Sequence, residues 1–148
     1  MKTEKKAEMI FFTVADEIIK VMGKQATFQF DLERVAIDLI GKDFAGVFAV
    51  DKIKFPSGTK YAIFNLDRSD EPGSHWVSII KGTNKFYIYD SFGRNSKEIA
   101  PSLFRKGIII KDSDRDAEQK VSEEVCGPYA LAWLFVAQTY GIKTAMLI

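Results

Sequence analysis

Apolar side chains in the first part of the chain recur with the period of a helix. In residues 4–22 they lie three or four positions apart, and Gly23 follows the last of them. This spacing predicts an amphipathic helix that ends near Gly23. Residues 25–30 alternate polar and apolar side chains, and a second helical pattern runs from Asp31 to Gly41. We therefore expect a second helix that Asp31 caps and Gly41 ends.

The middle of the chain has the pattern of strands separated by turn residues. Residues 61–66, 74–81 and 85–90 are rich in aromatic and β-branched side chains. Such segments favour extended backbone, and the last two predict a hairpin around residues 82–84. Residues 108–111 predict one more strand.

Two further helices are predicted in the second half of the chain. Asn95 or Ser96 is suited to cap a short helix, in which Pro101 is tolerable only near the first turn. Residues 126–140 are almost entirely apolar and are followed by Gly141, which predicts a buried helix. The fold class is therefore α+β, with a small, mostly antiparallel sheet flanked by helices.

Composition and charge limit the kinds of protein that fit. The chain has 148 residues, of which 47% are hydrophobic, as expected for a single globular domain. We divide it into a helical extension, residues 1–30, and a core, residues 31–148. The net charge of +1 gives no general attraction to a polyanion, so any DNA contact would have to be local. No apolar run approaches the roughly 20 residues that span a bilayer, and acidic residues interrupt the N-terminal segment, so we expect neither membrane insertion nor secretion.

Two residues that occur once each carry the candidate chemistry. Cys126 is the only cysteine and His75 the only histidine. Cys126 precedes the predicted buried helix, where unpaired backbone N–H groups favour a thiolate over a thiol. If an imidazole activates Cys126, it must belong to His75. The alternatives are a small buried cysteine and a structural strand histidine. With one residue of each type, we expect no metal and no cofactor.

Asp90 is the candidate for the group that orients the imidazole. A hairpin loop of four residues, 82–85, pairs Ile80 with Tyr87 and places Asp90 diagonally across from His75 on the same face. A loop of three residues turns Asp90 to the other face. The alternative role for Asp90 is to cap the turn that follows it.

Thiolate attack on a carbonyl group creates an oxyanion, which needs fixed hydrogen-bond donors. Gln119 and the backbone amide of Cys126 are the candidates. The alternative for Gln119 is a solvated loop residue.

Four short motifs then follow one another in the order His, Asp, Gln, Cys: GSHW at 73–76, FYIYDSFG at 86–93, Gln119, and EVCGPYA at 124–130. This combination resembles the adenovirus-type endopeptidases, whose wider clan includes the SUMO-specific proteases. The likeness covers about residues 30–140, and it implies that the nearest relatives are proteases of virophages and Polinton-type elements. At the position of the acidic residue, Asp90 matches the SUMO-specific proteases, whereas the adenovirus enzyme has Glu.

The resemblance implies a role for each of these residues. Cys126 would be the nucleophile, His75 the general base and acid, and Asp90 its orienting group. Gln119 would be an oxyanion donor, and Trp76 would shield the imidazole. Trp76 and Gly127 would contact the substrate, although Trp76 is equally suited to be a core aromatic.

The implied activity is endopeptidase cleavage of viral capsid or other virion precursor proteins at glycine-containing sites. The implied location is the virion and the infected cell, in a cytoplasmic virus factory or the nucleus. A disulfide-tethered activating peptide is excluded, because no second cysteine is present. Three alternatives stay open: removal of a ubiquitin-like tag, acetyl transfer through the same residues, and a non-catalytic capsid-associated binding domain. Oligomeric state is not predicted.

Overall fold

A computed structural model of the chain describes residues 3–22, 29–66, 75–104, 108–113 and 126–148. The helices in these ranges are α1 (Thr3–Met22), α2 (Gln29–Ile40), α3 (Ser96–Ile99), α4 (Cys126–Tyr140) and α5 (Ile142–Ala145). The strands are β1 (Phe44–Ala49), β2 (Tyr61–Asn65), β3 (Trp76–Lys81), β4 (Lys85–Tyr89) and β5 (Ile109–Asp112). None of the helices that these residues form is long and apolar enough to cross a membrane.

The five strands form one mixed sheet in the order β1-β2-β3-β4-β5. The central pairs, β2–β3 and β3–β4, are antiparallel, whereas β1–β2 and β4–β5 at the two edges are parallel. The predicted α+β class is confirmed, but a mostly antiparallel sheet is wrong. A parallel neighbour requires a crossover connection, and the segment that contains α3 provides one between β4 and β5.

The N-terminal half differs from the sequence prediction at the start of α2 and in strand β1. Helix α2 begins at Gln29, so Asp31 lies in its first turn and not at its cap. Of the alternating stretch at 25–30, residues 25–28 lie outside the described residues and the other two are helical. Strand β1 was not predicted because small residues obscure its alternation, and a bulge at Gly46 interrupts its pairing with β2.

Other local predictions are confirmed. Gly41 follows α2 with φ of 86°, and Gly141 follows α4 with φ of 100°, in the region that favours glycine. Asn95 caps α3, because its side-chain oxygen accepts a hydrogen bond from the Glu98 amide at 2.9 Å.

Helix α4 is the centre of the main hydrophobic core. It is apolar on all sides, as expected for a helix with no face toward water, and it packs against α1, α2, α5 and the sheet. Trp133 and Leu134 on α4 are fully buried, and the Trp133 indole N–H donates to the Ala145 carbonyl at 2.8 Å. The first residue of α4, Cys126, is therefore held at a defined position beside the sheet.

The opposite face of the sheet buries a second hydrophobic cluster. It includes Phe64, Val77, Ile79 and Ile88, and partly buried residues such as Phe55 pack against it. The start of β3 and the end of β4 are thus buried on both faces, and these are the ends next to His75 and Asp90. Buried strand ends hold neighbouring side chains in defined positions.

Candidate active site

The β3–β4 hairpin has the register that the sequence prediction requires. Ile80 pairs with Tyr87 and Ser78 with Tyr89, so the loop between paired residues has four residues. His75 immediately precedes β3, and Asp90 immediately follows β4. The carbonyl of His75 accepts a hydrogen bond from the Leu66 amide at 3.0 Å, which extends the β2–β3 pairing to this residue. The register therefore brings the two candidate side chains together.

His75 and Asp90 form a buried pair. Nε2 of His75 lies 2.5 Å from Oδ1 of Asp90, and the side chains are 8% and 0% exposed. A proton on Nε2 donates to the carboxylate, and this leaves Nδ1 as the ring nitrogen available to Cys126. The carboxylate thus selects one tautomer and one orientation of the imidazole.

The carboxylate of Asp90 also organises the turn that follows β4. Oδ1 accepts from the Phe92 amide at 3.4 Å, and Oδ2 accepts from the Arg94 amide at 3.2 Å and from Arg94 Nε at 2.8 Å. The turn closes through the Gly93 amide, which donates to the Asp90 carbonyl at 2.9 Å. Orienting His75 and capping the turn were alternatives from sequence, and Asp90 has the contacts for both.

These hydrogen bonds determine the charge of Asp90. Burial raises the pKa of the carboxyl, but the hydrogen bonds and positive charges of His75 and Arg94 outweigh burial and lower this pKa to about 2. Asp90 is therefore a carboxylate at neutral pH.

An aromatic ring covers one side of the imidazole. The rings of His75 and Phe92 are stacked, with centroids 4.6 Å apart and an angle of 26° between their planes. The guanidinium carbon of Arg94 lies 5.2 Å from the centroid of the same Phe92 ring. Phe92 therefore contacts both the imidazole of His75 and the guanidinium of Arg94, which binds Asp90.

Cys126 completes the arrangement from the N-terminus of α4. It is partly exposed, and the His75 side chain and the backbone amides of Trp76 and Gly127 lie close enough to its thiol to act on its pKa. Burial raises the pKa of the thiol, but the contacts with His75 and the two amides outweigh it, so the pKa lies below its ordinary value. The sulfur is thus surrounded by donors that favour a thiolate.

The pKa of His75 moves in the opposite direction. Burial lowers it, but hydrogen bonds and charge interactions with Asp90 and Cys126 outweigh burial and raise it above its ordinary value. A lower thiol pKa and a higher imidazole pKa both increase the fraction of thiolate–imidazolium pair at neutral pH. This pair combines a nucleophile with an adjacent proton donor.

The remaining predicted site residues are Gln119, Trp76 and Gly127. Gln119 lies outside the described residues. The side chain of Trp76 packs in the main hydrophobic cluster and the residue is 7% exposed, as the core-aromatic alternative expects. Gly127 is buried in the first turn of α4. The backbone amides of both residues act on the thiol of Cys126, and substrate contact stays a prediction.

Two residues of the site were missed from the sequence, Phe92 and Arg94. The signal for Arg94 was present: Asp90 and Gly93 have the spacing of a β-turn, and a cation directly after such a turn lies close to its first residue. Nothing in the sequence pattern indicated that Phe92 would stack on the imidazole.

The described part of the chain contains no group of three or more His, Cys, Asp or Glu side chains placed to hold a metal ion. Comparison with protein-family models and with curated proteins gives no match for this chain. A functional assignment therefore depends on the chemistry of His75, Asp90 and Cys126.

Proposed function

We propose that the protein is a cysteine endopeptidase. The observation that carries the proposal is the sequence of three neighbouring side chains: a thiol at a helix N-terminus, an imidazole that acts on it, and a buried carboxylate hydrogen-bonded to Nε2 of that imidazole. Nucleophile, base and orienting group in this order are the parts that acyl transfer requires. The resemblance to adenovirus-type endopeptidases, read from the sequence, supports the same chemistry.

In the proposed reaction the Cys126 thiolate attacks the carbonyl carbon of a peptide bond. The carbonyl π electrons move to oxygen, and the resulting tetrahedral oxyanion collapses as His75 donates its proton to the leaving amine. The products are a free amine and a thioester on Cys126. His75 then takes a proton from water, the hydroxide attacks the thioester, and the acid product leaves as the thiolate forms again.

The oxyanion needs donors that are fixed before the reaction begins. The amide of Cys126 has no partner within α4, because the first N–H groups of a helix lack an acceptor four residues earlier. It is the proposed first donor, and the side chain of Gln119 is the proposed second donor. Asp90 stays ionised throughout and stabilises the imidazolium that forms.

The proposed substrates are viral capsid or other virion precursor proteins, cleaved at glycine-containing sites during particle maturation. This part of the proposal depends on the resemblance and on one steric argument. A residue without Cβ enters a narrow cleft beside bulky side chains most easily.

Cleavage of a peptide library that includes glycine-containing sequences, followed by mass spectrometry of the new termini, tests the proposal. We expect the wild-type protein to produce cleavages that Cys126→Ser and His75→Gln lose by at least about 10³-fold. Equal processing by Cys126→Ser would eliminate the mechanism.

Parallel reactions separate the alternatives. Cleavage restricted to ubiquitin- or SUMO-conjugated proteins would assign tag removal instead of endopeptidase activity. Consumption of acetyl-CoA that depends on Cys126 would assign acetyl transfer. Absence of every reaction, together with slow alkylation of Cys126, would identify a binding domain.

A further inference from the structure

Arg94 binds the side of the Asp90 carboxylate that His75 does not use. Two donors of Arg94, its backbone amide and its side-chain Nε, converge on Oδ2 at 3.2 and 2.8 Å. Oδ1 faces Nε2 of His75 and also accepts from the Phe92 amide at 3.4 Å. The two shorter contacts from Arg94 to Oδ2 therefore fix the rotation of the carboxylate about its Cβ–Cγ bond, together with the Phe92 amide.

The guanidinium of Arg94 also reaches the second support of the imidazole. Its carbon lies 5.2 Å from the centroid of the Phe92 ring, and the Phe92 ring stacks on His75 at 4.6 Å. Arg94 thus contacts both Asp90, which is hydrogen-bonded to the edge of the imidazole, and Phe92, which is stacked on its face. The Arg94 side chain is itself 41% exposed, so it is not a core residue whose packing explains these contacts.

We propose that Arg94 is a positioning residue that acts through Asp90 and Phe92 to hold His75 against Cys126. The proposal deepens the proposed function, on which it rests, because the orientation of His75 matters only if His75 activates Cys126. Arg94 does not contact the sulfur.

The charged groups around Asp90 determine what loss of Arg94 would do. Among the described residues, His75 and Arg94 are the ionisable groups that act on Asp90, and Cys126 acts on His75 from the other side. Without the Arg94 side chain, the buried carboxylate keeps the backbone amide of residue 94 on Oδ2 but loses one of its two cations, which raises the pKa of the carboxyl. A carboxylate that Nε of Arg94 no longer orients holds the imidazolium less firmly, so the thiolate of Cys126 loses stabilisation.

Arginine and lysine are expected to differ at this position. The guanidinium presents Nε to Oδ2 while its carbon lies over the Phe92 ring, whereas an ammonium group is a point charge that cannot make both contacts in this way. Arg94→Lys therefore keeps the charge but loses the geometry. This difference separates positioning from a general electrostatic effect.

The test measures the rate at which iodoacetamide alkylates Cys126 as a function of pH in wild type, Arg94→Gln and Arg94→Lys. Because Cys126 is the only cysteine, the rate reports one site. The matched control is Arg34→Gln, which removes an exposed arginine of α2 that lies 3.7 Å from Asp31. Circular dichroism establishes that each variant is folded.

We expect Arg94→Gln to shift the midpoint of the pH profile upward and to slow alkylation below that midpoint by about tenfold, since one pKa unit changes the thiolate fraction about tenfold. Arg94→Lys should restore only part of the rate, and Arg34→Gln should match the wild type. A wild-type profile in Arg94→Gln, or full restoration by Arg94→Lys, would overturn the proposal. If Arg94→Gln does not fold, Arg94→Lys decides: an unshifted midpoint overturns the proposal, and a shifted midpoint supports it.

Failure of this inference is distinguishable from failure of the proposed function. If wild type and His75→Gln alkylate at the same rate, His75 does not activate Cys126 and both proposals fail. If His75→Gln is slow but Arg94→Gln matches wild type, the role of Arg94 alone is rejected.

Discussion

Asp90 shows most clearly how one side chain links the stability of the fold to pH. Its side chain is fully buried, and its pKa is lowered from 3.8 to about 2 by His75 and Arg94. A carboxyl with a lower pKa in the folded state stabilises that state at pH above its unfolded pKa. The stabilisation is lost as the pH falls through the folded pKa, because the folded protein then binds the proton as well.

Replacement of Asp90 by Asn should therefore have an effect that depends on pH. The unfolding free energies of wild type and Asp90→Asn should converge by about 2 kcal/mol as the pH falls from above 3.8 to below about 2. Chemical denaturation at several pH values measures both. A difference that stays constant over this range would show that the carboxylate is not stabilised by its buried partners.

Some residues of the candidate site could be predicted from the sequence, and others could not. His75 and Cys126 were identified because each occurs once, and Asp90 because strand alternation and one loop length determine its face. Phe92 and Arg94 lie in and just after the turn that follows β4, and this turn brings Phe92 against His75 and Arg94 against Asp90. Their contacts depend on the three-dimensional course of that turn, which periodicity does not describe.

At the scale of elements, one buried hydrogen bond joins β3 to α4. The hydroxyl of Ser78 donates to the Ala130 carbonyl at 2.6 Å, and Ser78 is fully buried. Ser78 is three residues from His75, and Ala130 is four residues from Cys126. This bond therefore connects the strand that follows the imidazole to the helix that begins at the thiol.

Removal of this hydroxyl should weaken the contact between the two elements. We expect Ser78→Ala to lower the free energy of unfolding by about 1 kcal/mol. The control is Thr13→Ala, which removes a hydroxyl that bonds the Met9 carbonyl at 2.8 Å within exposed α1 surface. That change should be close to neutral, since alanine favours a helix. Equal effects of the two variants would argue against a special role for the buried bond.

Elements with a strong apolar or periodic pattern were predicted from sequence, and β1, which has a weak pattern, was not. Strands β2, β3 and β4 were predicted because aromatic and β-branched side chains are frequent on both of their faces. Strand β1 contains alanine and glycine, so its pattern is weak, and the sheet was expected to be mostly antiparallel although both edge pairs are parallel. Strand direction at an edge depends on the path of the connecting segment, which is a property of the whole fold.

At the scale of the whole molecule, α1 is part of the same core as the candidate site. Phe11 is fully buried, and its ring packs edge-on against Tyr89 of β4 and Tyr129 of α4. Both partners are next to the site, since Tyr89 precedes Asp90 and Tyr129 lies one turn from Cys126. The N-terminal helix thus supports β4, which ends just before Asp90, and α4, which begins at Cys126.

A cavity at Phe11 should therefore destabilise the entire molecule. We expect Phe11→Ala to lower the free energy of unfolding by about 3–5 kcal/mol. Val21→Ala, on the same helix but 75% exposed, should change it by no more than about 0.5 kcal/mol. Thermal and chemical denaturation of both variants test this. A small effect of Phe11→Ala would mean that α1 is not required for the stability of the core.

The central claim is that His75 holds Cys126 as a thiolate. The most direct test is titration of the thiolate by its ultraviolet absorbance, taken as the difference from Cys126→Ser, in wild type and in His75→Gln. We predict that wild-type Cys126 ionises below the ordinary value of 9.0, and that loss of the imidazole raises its pKa because the hydrogen bond and charge of His75 no longer oppose burial. Identical titrations at or above 9.0 in both proteins would contradict it.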